Sequence, residues 1–195
     1  MQKTAPTSLL TDDDIYLFKE GKHFRLYEKL GSHQMKMGKT SGVHFAVWAP
    51  NAKQVSVIGD FNGWNRQTHP LNVRWDSSGI HEGFIPDLAQ GTIYKYSIES
   101  ANGAIFEKGD PFAYFWEVPP RTASIVWDLH YEWDEEEWDK EKTHKNALDA
   151  PIAIYELHFG SFRKNLEAGG RSLTYREMAE FLPNYIKELG FTHVE

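Results

Sequence analysis

Val43, Phe45 and Val47 alternate with His44, Ala46 and Trp48, and beyond the turn formers Ala49-Pro50-Asn51 the alternation resumes with Val55 and Val57 against Gln54 and Ser56. Period two with β-branched and aromatic residues predicts two antiparallel strands with one face buried. The same signal, punctuated by Gly and Pro, predicts strands at 43–48, 54–58, 80–85, 92–99, 104–107 and 123–127. Many short strands at close spacing read as a β-sandwich. Within 92–99, Tyr94, Tyr96 and Ile98 share one face and Lys95, Ser97 and Glu99 the other. Lys95 therefore points away from an aromatic core.

The flanks read differently. Asp12-Asp13-Asp14 ahead of Ile15, Leu17 and Phe18 predicts a short helix in a lead-in over residues 1–40. The run from Trp133 to Lys142 is dense in charge and reads as a solvated linker or helix within 131–150. From Pro151 the apolar run Ile152 to Phe159 predicts a strand covered on both sides. Thr174 and Glu177 have capping-box spacing, and Leu173 with Met178 has that of a hydrophobic staple. Met178, Phe181, Leu182, Tyr185, Ile186 and Leu189 form a helical stripe. Pro183 interrupts it and is expected to start a second short helix. Gly190 stops the helix before a new strand at Phe191-Thr192-His193-Val194. Strand, helix, strand is one β/α unit, and a closed eight-stranded barrel takes roughly 250 residues. Residues 151–195 thus read as the opening of a barrel that the chain does not complete.

The second strand empties into Gly59-Asp60-Phe61-Asn62-Gly63-Trp64-Asn65. Its glycines and asparagines accept positive φ, so the turn can throw an aromatic outward. Two roles for Trp64 stand open: a stacking surface for a sugar ring, or a plug folded back over the end of the core.

Composition narrows the class. Forty-one per cent apolar and 14 per cent aromatic residues suffice for a packed core. A net charge of −7 speaks against general affinity for nucleic acid or anionic membrane. With no cysteine there is no disulfide framework and no thiolate zinc site. The first residues lead to no apolar core of signal-peptide length, so a cytoplasmic protein is expected. The nine histidines show no metal-ligand spacing, and no nucleotide-binding glycine motif occurs. Neither a metal nor a cofactor is expected. Glu156 and His158 share a face of the predicted first barrel strand, but no nucleophile or orienting third group accompanies them.

Taken together, Phe45-Ala46-Val47-Trp48-Ala49-Pro50-Asn51-Ala52, Gly59 to Asn65, Tyr94-Lys95-Tyr96, Lys108 to Ala113 and Arg121 to Val126 resemble one family. So do Tyr16 to Gly21, Tyr27 to Gly31, Ile154 to Phe162 and Leu189 to Glu195. In this order they look like the N-terminal part of the α-1,4-glucan (glycogen) branching enzymes of the α-amylase superfamily. The resemblance implies an immunoglobulin-like, carbohydrate-binding β-sandwich over 41–130, followed by the first β/α unit of an incomplete TIM barrel. It also implies a retaining double displacement that transfers α-1,4-glucan segments to form α-1,6 branches. That family's three catalytic carboxylates follow the fourth, fifth and seventh barrel strands, beyond Glu195, so no catalytic residue carries over. What carries over is binding of an α-1,4-glucan, with Trp64 as the stacking residue and Lys95 as a sugar contact. Asn62 joins them from the Trp64 loop. Phe106 stands where similar modules place a second tryptophan. A debranching or trehalose-forming hydrolase and a stand-alone glucan-binding module are the alternative readings.

Overall fold

The structure, a computed structural model, describes residues 8–133 and 135–195. It divides into two compact units, Met1–Tyr131 and Glu132–Glu195.

The first unit opens with α1 (Asp12–Lys19). Its N-cap, Thr11, accepts from the Asp14 backbone N–H, and the Asp14 carboxylate accepts from the Thr11 N–H at 2.8 Å. This reciprocal box satisfies two amides that have no partner inside the helix. Burial alone would raise the Asp14 carboxyl, but hydrogen bonds from Thr11, His23 and Lys29 outweigh it and hold it well below the usual carboxylate range.

Nine strands follow: β1 (Gly31–Met37), β2 (Thr40–Trp48), β3 (Ala52–Gly59), β4 (Asn72–Val73), β5 (Ile80–Pro86), β6 (Ile93–Ser100), β7 (Ile105–Lys108), β8 (Phe115–Trp116) and β9 (Ser124–Ile125). They form two antiparallel sheets, in the orders β1-β2-β5-β4 and β3-β6-β9-β8, with β7 also paired to β6. Val43, Phe45, Val47 and Ile85 from the first sheet meet Val55, Val57, Tyr94 and Tyr96 from the second, joined by Leu71 and Val126. The apolar positions that alternate in the sequence are thus the residues between the sheets, as a sandwich requires.

Two expectations need correction. β2 and β3 do not pair with each other: β2 lies between β1 and β5, while β3 pairs with β6. The Ala49-Pro50-Asn51 turn therefore carries the chain from one sheet to the other. Nor does β2 have only one buried face, because His44 and Ala46 are as inaccessible as Phe45. The lead-in covers that second face through Leu10, Ile15 and Leu30, which pack on Ala46 and Ile80. β1 itself falls inside the stretch assigned to the lead-in. Its sequence, Gly-Ser-His-Gln-Met-Lys-Met, is too polar to announce a strand.

Inside the sandwich, the Lys108 to Ala113 motif has a structural task. The wholly buried Asp110 accepts the Tyr94 hydroxyl at 2.7 Å, the Tyr96 hydroxyl at 2.9 Å and the Phe112 N–H at 2.8 Å. Three donors satisfy a carboxyl that burial would otherwise make costly. Burial is also the largest cause that raises both tyrosine hydroxyls above their ordinary pKa, with the neighbouring Asp110 charge next.

The second unit contains α2 (Glu136–Lys145), β10 (Ile154–Tyr155), α3 (Phe159–Phe162), β11 (Lys164–Asn165), β12 (Arg171–Ser172), α4 (Tyr175–Glu188) and β13 (His193–Val194). β10 and β13 pair in parallel, with α4 between them in the chain. The strand expected from Ile152 to Phe159 is shorter, because the Ser161 and Phe162 amides turn back onto the His158 carbonyl at 3.1 and 2.9 Å. The Thr174–Glu177 capping box forms as its spacing predicts. Pro183 does not start a second helix but lies inside α4. It forfeits one backbone bond, yet the aromatic stripe is packed on both sides of it. Phe181 and Tyr185 stack at 5.2 Å, and Tyr155 and Phe162 meet Tyr185 edge-on at 6.0 and 5.8 Å. Packing outweighs the local propensity.

Candidate glucan-binding face

Where β3 ends, Gly59 is extended, and a Cβ there would lie 2.2 Å from the Ile93 carbonyl oxygen. Only glycine fits so close an approach. The chain then makes a turn at Asp60–Asn62, passes Gly63 in the left-handed region at φ +60°, and holds Trp64 there as well at φ +59°. Glycine tolerates this conformation, but for a tryptophan it costs about 1–2 kcal/mol. Such strain persists only where the surroundings over-determine it, and it concentrates at functional positions.

The determinants are visible. The Trp64 N–H donates to the Gly59 carbonyl at 2.9 Å, and the indole Nε1–H donates to Asp60 Oδ1 at 2.8 Å. Asn62 ties the loop together: its Oδ1 accepts from the Gly59 N–H at 3.0 Å, and its Nδ2 lies 3.0 Å from the Val57 carbonyl and 3.1 Å from Thr68 Oγ1. Trp64 is 38% exposed and belongs to neither core cluster. Phe61 instead packs on the core from this loop, edge-on to His69 at 5.3 Å. The residue of this loop that packs against the core cluster is thus Phe61 rather than Trp64.

Lys95 sits opposite Ile58 on β3, on the face away from Tyr94 and Tyr96, as alternation predicts. The registers Ser56↔Ser97 and Gln54↔Glu99 line up polar side chains on that outer face. Together with Arg66 and Gln67 these four border a shallow depression of about 120 Å³. Lys53 pairs with Glu99 at 2.7 Å, and this hydrogen bond lowers the Glu99 carboxyl. The loop that carries Trp64 leaves β3 at Gly59, whose register partner is Tyr94, one residue from Lys95. Trp64 and Lys95 thus flank the same end of the sheet.

Phe106 does not join them. It pairs with Ile98, on the face of the Tyr94 and Tyr96 side chains, whereas its neighbour Ile105 pairs with Glu99 on the Lys95 face. Which of the two faces outward depends on a register set by the 101–104 turn, and sequence proximity to Lys95 could not reveal it. Arg66 and Gln67 were missed for a related reason: they lie in an irregular segment that only folding brings beside β3.

Elsewhere the chemistry is sparse. Glu156 and His158 are exposed, and His158 Nδ1 lies 2.7 Å from Ser161 Oγ, a local contact across α3. Among the described residues no group of three or more His, Cys, Asp or Glu could hold a metal ion, and no helix is long and apolar enough to cross a membrane.

Residues 29–113 match the family described as carbohydrate-binding module 48 (isoamylase N-terminal domain). The chain is 51% identical over 188 residues to the 1,4-alpha-glucan branching enzyme GlgB of Aquifex aeolicus, covering 96% of this chain and 30% of that protein. It is 49% identical over 195 residues to the enzyme of the same name from Aromatoleum aromaticum, covering 100% of this chain and again 30% of the relative. The chain therefore spans about a third of the length of these relatives. In fold it is similar to GBS pullulanase SAP, whose structure is in complex with maltotetraose, with a TM-score of 0.55 and 22% identity over 85% of this chain and 23% of that one. About half its residues are identical, over nearly its whole length, to the N-terminal portion of 1,4-alpha-glucan branching enzymes, and the carbohydrate-binding module match lies at its centre.

Proposed function

We propose that this chain is the part of a glycogen branching enzyme that takes hold of α-1,4-glucan, and that the outer face at Trp64 and Lys95 is where it does so. The observation that carries this reading is the tryptophan held in a left-handed conformation and pinned through its indole N–H, half-exposed at the rim of a rigid sheet. An amphipathic sugar ring lays its C–H face on such an indole and its hydroxyls against polar neighbours, here Lys95 and the bordering depression. Asn62 serves the face indirectly, by shaping the loop. A neutral polysaccharide needs no charge steering, which agrees with the acidic balance of the chain.

The whole enzyme would transfer α-1,4-glucan segments to form α-1,6 branch points during glycogen synthesis, in the cytoplasm. The parallel β10/β13 pair around α4 supports reading 151–195 as the first β/α unit of a TIM barrel. Residues 1–40, 41–130 and 131–150 then serve as lead-in, immunoglobulin-like sandwich and acidic linker, with β1 added to the sandwich. None of the barrel carboxylates that family resemblance makes catalytic falls within this sequence, so the 195-residue chain binds glucan without branching it. Calorimetric titration with maltoheptaose tests the binding face: saturable binding that Trp64→Ala weakens supports it, and binding untouched by that change removes it.

A further inference from the structure

We propose that Trp75, with Asn72 and the groove floor at Leu10 and Val73, is a second α-glucan-binding surface, on the sheet opposite the one that carries Trp64. It rests on the reading that this chain handles α-glucan, but on none of the residues that carry that reading.

Trp75 follows β4 and is 71% exposed. A large indole left so open on a turn gains little from the core, yet this one is held in place. The Arg74 guanidinium lies 4.8 Å from its ring centroid. Arg74 itself cannot swing away: its side chain is buried, Nε donates to Asp76 Oδ2 at 2.8 Å, Nη1 donates to Glu82 Oε1 at 2.6 Å, and Ser8 Oγ is a further close partner. Its backbone N–H also donates to the Ile80 carbonyl at 2.9 Å. A fixed cation against a ring is a favourable contact, and here it orders the indole while leaving most of its surface to solvent. Stacking then loses little side-chain entropy on binding.

Beside the ring runs a groove of about 360 Å³ lined by Ser8, Leu10, Asn72, Val73, Arg74 and Glu82. That size lies within the range of small-molecule sites. Charge decides what fits. The two charged side chains that line the groove, Arg74 and Glu82, pair with each other at 2.6 Å, so neither an anion nor a cation finds an uncompensated partner there. What remains is an aromatic face, an apolar floor from Leu10 and Val73, and a polar rim with the exposed Asn72 amide. A ring with an apolar face and equatorial hydroxyls, the glucose unit of an α-glucan, matches all three.

The test uses the full chain grown with 5-fluorotryptophan and titrated with maltoheptaose, followed by fluorine NMR with resonances assigned through single Trp→Phe variants. The Trp75 resonance should shift saturably, and should still do so in Trp64→Ala. Trp75→Ala should weaken binding at this surface by about tenfold without lowering the melting temperature. A Trp75 resonance that stays still while that of Trp64 moves overturns the second surface and leaves the first intact. Movement of Trp75 alone supports it while removing Trp64. An equal response to cellohexaose, which shares the ring but not the linkage, overturns the α-glucan assignment.

Discussion

Replacing Trp64 by glycine and by alanine separates the backbone from the ring, because both changes remove the indole and only one relieves the left-handed conformation. With 38% of the residue exposed, roughly 130 Å² of the side chain is covered, worth about 3 kcal/mol at 25 cal/mol/Å² as an upper value. The Nε1–H bond to Asp60 adds about 1 kcal/mol at this half-exposed position. Alanine keeps the positive φ and its cost, so Trp64→Ala should destabilise the chain by up to about 4 kcal/mol. Glycine removes about 1 kcal/mol of that penalty, so Trp64→Gly should cost up to about 3 kcal/mol. The usual order of the two residues is thereby inverted. Both variants should lose maltoheptaose affinity alike, by about tenfold, if stacking on a sugar resembles stacking on a nucleobase. Urea unfolding followed by circular dichroism gives the stabilities and calorimetry the affinities. A glycine variant less stable than the alanine one would refute the left-handed placement of Trp64, and undiminished affinity in both would refute its role in binding.

Asp110→Ala leaves two tyrosine hydroxyls and one amide unpaired in the core, and should cost roughly 2–5 kcal/mol; an unchanged urea midpoint would count against the Tyr94–Asp110–Tyr96 network. Stability should also fall with pH in two stages. Burial lowers His33 and His81 below their ordinary 6.5, so the unfolded chain takes up protons first and stability declines below about pH 6.5. For Asp14, Asp76 and Glu82 burial pushes upward, but hydrogen bonds and neighbouring cations prevail and lower them from 3.8 or 4.5, giving a second decline below about pH 4.5. Asp110, raised by burial, opposes that second stage. A urea midpoint constant between pH 7 and pH 5 would contradict the histidine stage. Native-state hydrogen exchange should find slow amides in β2, β3, β5 and β6 and fast ones across 132–195, where α4 buries Met178 alone; the opposite ranking would mean that the second unit is the more stable. On amylose, iodine staining and reducing-end release should stay at the level of a heat-killed control, and activity above it would place catalytic groups within this sequence.

Alternation at 43–48, 54–58 and 92–99 was enough to predict strands, the face of each that packs between the sheets and the course of Lys95 away from it, because side chains of a strand must alternate whatever the strand pairs with. Capping boxes at Thr11 and Thr174 were equally local, being satisfied within three residues. The family likeness, too, was carried by sequence order alone. Partners were another matter. That β2 lies beside β5 and not β3, that the lead-in buries His44 and Ala46, and that β1 forms from a polar stretch all depend on contacts between distant segments. Local pattern carries no energy term for these. The fate of Pro183 was decided in the same way, by aromatic packing across the break. At the candidate face, sequence singled out Trp64 and Lys95 because a turn and an alternation are local events. It could not give the facing of Phe106, which depends on the register of β7. It passed over Trp75, because what distinguishes that indole from any exposed tryptophan is a buried arginine locked by Glu82 on the adjoining strand. Only the folded chain brings those charges close enough to hold it.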